Sequence, residues 1–80
     1  MTENEVRTKL NEIFRDVFDD ESIEITPGMT AADVEAWDSL SHINLIVAVE
    51  KAFAVRFTTS EVQALKNVGD FLALIGSKVR

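Results

Sequence analysis

The chain has no cysteine. That excludes a disulfide framework and a thiolate metal site, and it means that no side chain here can itself hold a thioester. A single histidine, His42, rules out a multi-histidine metal centre and leaves little general-base chemistry, so no metal site and no unaided catalysis are expected. Between residues 16 and 50 there is no lysine or arginine, against nine acids. Residues 1–15 balance three acids with three bases, and residues 51–80 hold five bases and two acids, which leaves a net charge of −6. An acidic surface of this kind serves solubility, or it steers basic partners toward the middle of the chain. Binding to nucleic acid needs clustered lysine and arginine, so no nucleic-acid partner is expected. A helix-turn-helix reader fails for the same reason, since the best-exposed helix has only Lys51 near its end. The longest apolar runs, residues 45–49 and 71–75, are far too short to cross a bilayer. The start, Met1-Thr2-Glu3-Asn4-Glu5, lacks the basic and apolar segments of a signal peptide. A soluble, cytoplasmic protein with no membrane partner is the expectation, and a monomer is its simplest form.

What is present is enough for one domain over residues 1–80, with 46% apolar residues and no linker. A chain of this size buries only about 60% of its unfolded surface, so its margin of stability is modest. Val6, Leu10, Ile13, Phe14, Val17 and Phe18 follow helical spacing and predict a first helix over residues 3–18, with Thr2 as its N-cap. A long connection follows over residues 19–37, broken by the only proline, Pro27, and Gly28. Ile23, Ile25 and Met29 are expected to pin it to the core, and Thr30 to cap a short turn. Ile23-Glu24-Ile25 alternates like a strand, but no second strand is available to pair with it. A second helix starts at Asp38 or Ser39 and runs to about residue 54. A short helix opens among Thr58, Thr59, Ser60 and Glu61, and a last helix is capped by Asn67 with Asp70 at its positive end. Gly76 is expected to weaken that helix, with residues 77–80 fraying. The reading is an all-α bundle of three main helices and one short helix, with a long first loop.

The second helix has more apolar surface than one buried face requires. At about 100° per residue, His42, Leu45, Ile46, Val49 and Phe53 form one side and Leu40, Ile43 and Val47 another. The second stripe is either buried by other elements or an exposed binding ridge, and spacing does not choose between them. At the mouth of this helix stand Trp37-Asp38-Ser39-Leu40. Asp38 and Ser39 are good helix-start residues, and that alone accounts for their presence in most sequences. The free N–H groups and macrodipole there would also favour a negative group on Ser39. Ser39 as a catalytic nucleophile is the poorer reading, since no Gly-x-Ser-x-Gly turn is present and the single histidine would have to serve for everything. His42 and Trp37 are read as packing residues.

The stretch Asp38-Ser39-Leu40 and its continuation through Asn44 and Glu50 to Phe53, with Phe57, Val62, Leu65 and Val68 in register to Ile75, resembles the acyl carrier proteins. The resemblance covers essentially the whole chain. It implies that Ser39 bears 4′-phosphopantetheine, added from coenzyme A by a phosphopantetheinyl transferase, and that acyl groups ride on its thiol as thioesters. It implies that Asp38 marks the site for the transferase, that Leu40, Ile43 and Val47 dock partner enzymes, and that Glu50 adds an acidic contact. The core stripe with Phe57, Val62, Leu65 and Phe71 would surround any space for an acyl chain, although Phe71 is bulky for a cavity wall. Ser41, Asn44 and Lys51 stand where carriers of fatty acid synthesis are usually acidic. That departure points to acyl-loading and acyl-processing enzymes of a dedicated pathway, such as polyketide or modified-lipid synthesis. The function expected is a carrier, not an enzyme, delivering acyl intermediates in fatty acid, polyketide or related biosynthesis. The alternatives are an aminoacyl or peptidyl carrier, or an unmodified helical adaptor that uses the same ridge.

Overall fold

The computed structural model describes residues 2–34 and 36–79. Four helices follow one another along the chain: α1 (Glu3–Phe18), α2 (Ser39–Phe53), α3 (Thr59–Ala64) and α4 (Val68–Lys78). The described residues contain no strand, only one isolated bridge. The fold is the expected all-α bundle with a long first loop.

Local chemistry sets each helix start. The Thr2 hydroxyl accepts from Glu5 N–H at 3.2 Å and Glu5 Oε1 accepts from Thr2 N–H at 3.1 Å, a reciprocal capping box. Thr58 and Glu61 repeat it at α3, and Asn67 Oδ1 accepts from Asp70 N–H at α4. Asp19 and Ala54 end α1 and α2 in the left-handed region, at φ 50° and 55°. α1 packs against α2 and α4. Its stripe supplies Val6, Leu10, Ile13 and Phe14, which meet Leu45 and Val49 of α2 and Val68, Phe71 and Ile75 of α4 in one core.

The first connection is held by polar contacts to α1 and by backbone bonds to α4. Arg15 Nε donates to Ile23 O at 2.8 Å, and Asn11 Oδ1 accepts from Ile25 N–H at 2.8 Å. Ile25 is buried, and Ile23 and Met29 are half-buried, as expected. No ladder pairs Ile23-Glu24-Ile25. The bridge forms further on, between Thr30 and Asn67, beside bonds from Val68 N–H to Met29 O at 2.9 Å and from Gly69 N–H to Pro27 O at 2.8 Å. A Cβ on Gly69 would lie 2.9 Å from Pro27 O, so only glycine permits this approach.

The expected fraying from residue 77 is corrected: α4 runs through Gly76 to Lys78, with Val79 as its C-cap. Lys78 Nζ pairs with Glu61 at 3.1 Å and lies 5.7 Å over the Phe57 ring, and Val79 N–H bonds to Ile75 O. These tertiary contacts hold a last turn that propensity alone would release. Arg80 lies outside the described residues.

Candidate functional site

The site forms where the acidic loop becomes α2. Asp38 is the N-cap, in extended backbone, and its Oδ1 accepts from Ser41 N–H at 2.9 Å. Its own carbonyl accepts from His42 N–H at 2.9 Å. The Ser41 hydroxyl is occupied too, since it donates to Ala36 O at 2.7 Å. Ser39 is different. It is the first residue of α2, it is exposed, and its Oγ has no hydrogen bond among the described residues. Of the two hydroxyls at this helix mouth, one is built into the turn and the other has no partner among the described residues.

Bonds from Ser41, the backbone N–H above all, hold the Asp38 carboxyl below the ordinary carboxylate value. Glu5 and Glu61 are lowered in their capping boxes chiefly by bonds from Thr2 and Thr58, and Asp20 by Ser22. A carboxyl lowered in the folded state adds stability above its unfolded value, and that stability is lost as pH falls through the folded value. Melting temperature is therefore expected to drop as pH falls below 4.5 for the two glutamates and below 3.8 for Asp38 and Asp20. Asp38→Asn, which keeps a capping oxygen, should flatten the lower part of that curve. Thermal melts across a pH series check this, and an unchanged curve in the variant would remove Asp38 from the account.

Trp37 is buried and its indole packs edge-on against Phe14, with centroids 5.4 Å apart. Trp37 Nε1–H donates to His42 Nδ1 at 3.2 Å, which places the imidazole proton on Nε2, facing Val62 O at 3.5 Å. His42 is half-buried, so the packing reading of both residues holds. The sequence identified each of them as a packing residue only. That the two rings bond and stack was not legible, because the partner lies five residues away across a loop-to-helix junction.

On α2 the structure decides between the two readings of the second stripe. Leu40, Ile43 and Val47 are 68%, 58% and 42% exposed, while Leu45, Ile46, Val49 and Phe53 are buried. The ridge is open and starts beside Ser39. Glu50 is half-buried, and its Oε2 accepts from Phe57 N–H at 2.9 Å, so one oxygen is committed to the loop after α2.

An open cleft of about 570 Å³ lies between α2 and α3, with Ser39 and Asp38 at its rim and Ile43, Val62 and Leu65 among its walls. Among the described residues, Lys66 is the sole lysine or arginine in that lining. A second depression of about 560 Å³, between α1, α4 and Pro27, contains no serine, cysteine or histidine and is a packing seam. No group of three or more metal-ligating side chains occurs among the described residues. Among them, too, no helix is long and apolar enough to cross a membrane.

The family model of the phosphopantetheine attachment site matches residues 8–75. The acyl carrier protein of Acidothermus cellulolyticus is 34% identical over 96% of this chain and 92% of its own length. The chain belongs to the acyl carrier protein family. The meromycolate extension acyl carrier protein of Mycolicibacterium smegmatis is 32% identical over 92% of this chain and 75% of its own. Among solved structures, the holo acyl carrier protein of Geobacter metallireducens superposes with a TM-score of 0.88 at 49% identity, covering 92% of this chain and 85% of that one. The family's prosthetic group is a covalently attached phosphopantetheine, and the site fits it. An exposed hydroxyl at a helix N-terminus suits a phosphodiester, because the dipole and the N–H groups of the first turn favour negative charge there. Acyl carriers bear acyl groups on that arm, and the named relatives are carriers rather than catalysts.

Proposed function

We propose that Ser39 is the attachment residue and that the chain delivers acyl intermediates to partner enzymes without catalysing a reaction itself. The observation that supports this best is the contrast at the start of α2. Ser39 is exposed and its Oγ has no hydrogen bond among the described residues, whereas the neighbouring Ser41 hydroxyl is spent on Ala36 O. The arm, when attached, supplies the thiol that this cysteine-free chain lacks. The protein's contribution is to hold one hydroxyl in the open, fix it on a capped helix, and set an apolar ridge beside it. Tethering then raises the concentration of cargo at each partner's active site.

Leu40, Ile43 and Val47 are the docking ridge in this reading, with Asp38 recognised by the transferase and the second oxygen of Glu50 adding charge at the rim. Partners are a phosphopantetheinyl transferase and the acyl-loading and acyl-processing enzymes of one pathway. Ser41, Asn44 and Lys51 weaken the acidic character of α2 and favour a dedicated pathway over general fatty acid synthesis. The protein acts in this reading as a cytoplasmic monomer. The test is incubation with coenzyme A, Mg²⁺ and a broad-specificity transferase, followed by intact-mass measurement. One added phosphopantetheine is expected; an unchanged mass would turn the reading toward an unmodified adaptor.

The ridge has its own test. Val47→Glu sets a charge among exposed apolar side chains without touching the core. Arm transfer should slow by about tenfold or more, equivalent to ~1.4 kcal/mol of lost contact. Stability should change by no more than about 0.5 kcal/mol, as for surface substitutions generally. Initial rates and a thermal melt read both, and unfolding of the variant would make the ridge part of the core.

A further inference from the structure

The cleft beside Ser39 ends against a wall of rings. Trp37 and His42 stack at 6.1 Å with 18° between their planes, joined by the Trp37 Nε1–H to His42 Nδ1 bond. Phe71 closes the space behind both, edge-on to His42 at 5.8 Å and tilted on Trp37 at 6.1 Å. Phe14 backs the wall from α1, edge-on to Phe71 at 6.1 Å. Phe71 and Phe14 are fully buried, and the Trp37 donor is satisfied by His42. A hydrocarbon chain leaving Ser39 for the helical core would have to displace these rings and break that bond. Outside the wall, the cleft is open to solvent and mixed in character, with Ile43, Val62 and Leu65 beside Gln63 and Lys66.

We propose that this aromatic wall keeps long alkyl chains out of the bundle, so that the protein shelters no long acyl cargo and is suited to short acyl groups, which rest in the outer cleft. The inference rests on the assignment of the arm to Ser39. A long chain in the open cleft would leave apolar surface in water, at about 25 cal/mol per Å². A short acyl group meets Ile43, Val62 and Leu65 and leaves little exposed. Phe71 is then the specificity-determining residue, because it fills the volume behind the cleft.

The test loads the protein through a transferase with butyryl- or dodecanoyl-coenzyme A and follows thioester cleavage by hydroxylamine, read by intact mass. Trp37 fluorescence serves as a second readout. In the unaltered protein the two thioesters are expected to be cleaved at equal rates. In Phe71→Ala the dodecanoyl form should be protected, since each methylene that enters an apolar interior favours burial about fourfold. Phe71→Leu removes less volume and provides the same comparison should the alanine variant not fold. Dodecanoyl protection in the unaltered protein overturns the proposal while leaving the carrier reading intact, as does equal cleavage in both Phe71 variants. A protein that takes no arm overturns both.

Discussion

Ser39→Ala is expected to abolish attachment of the arm completely and to leave the fold unchanged. The Ser39 hydroxyl makes no hydrogen bond among the described residues, and its side chain is exposed at the first position of α2. The cap is provided by Asp38 through Ser41 N–H, which the substitution does not touch. Alanine is also the best helix former, so stability should move by no more than about 0.5 kcal/mol, with a small gain as readily as a loss. Ser41→Ala gives the opposite pattern. It deletes the bond to Ala36 O, at a cost of about 0.5–1.5 kcal/mol, yet should still accept the arm. Intact mass after transferase treatment, with a thermal melt of each variant, separates the two roles. Modification that survives in Ser39→Ala and disappears in Ser41→Ala would exchange the assignments.

Phe14→Ala is the substitution expected to cost most in stability. The ring is fully buried and joins three others, Phe18 at 5.7 Å, Trp37 at 5.4 Å and Phe71 at 6.1 Å. Removing a buried phenyl ring costs about 3–5 kcal/mol, as lost transfer energy plus the cavity left behind. A domain of this size has a total stability of only about 4–12 kcal/mol. The loss is therefore a large fraction of the whole, and the melting temperature should fall by roughly 12 °C or more. Urea titration followed by Trp37 fluorescence measures it, because the indole sits against the vacated space. A loss under about 1 kcal/mol would show that the aromatic cluster is not the centre of the core.

The parts of the fold governed by neighbours in sequence were legible from it. Thr2, Asp38 and Asn67 cap their helices where helix-start chemistry places them, and the α1 stripe needs only 3.6-residue spacing. What depended on distant partners was not. Whether Leu40, Ile43 and Val47 are core or ridge turns on where α3 lies, and this six-residue helix, which sets Val62 beside His42, leaves them uncovered. The last turn of α4 survives Gly76 because Lys78 reaches back to Glu61. The Thr30–Asn67 bridge, likewise, joins residues that no local pattern relates. At the site itself, position drew attention to Ser39 and the resemblance carried by Asp38-Ser39-Leu40 assigned it the arm, while its physical contrast with Ser41 came only from the bond to Ala36 O.

The lack of bases between residues 16 and 50 makes the central claim directly measurable. Trypsin cuts after Arg15 and Lys51, so residues 16–51 leave as a single peptide containing Ser22, Ser39 and Ser41. Fragmentation of that peptide from transferase-treated protein should place the entire added phosphopantetheine on Ser39, with Ser22 and Ser41 unmodified. Fragment ions that place it on Ser41, or on any residue other than Ser39, would contradict the account.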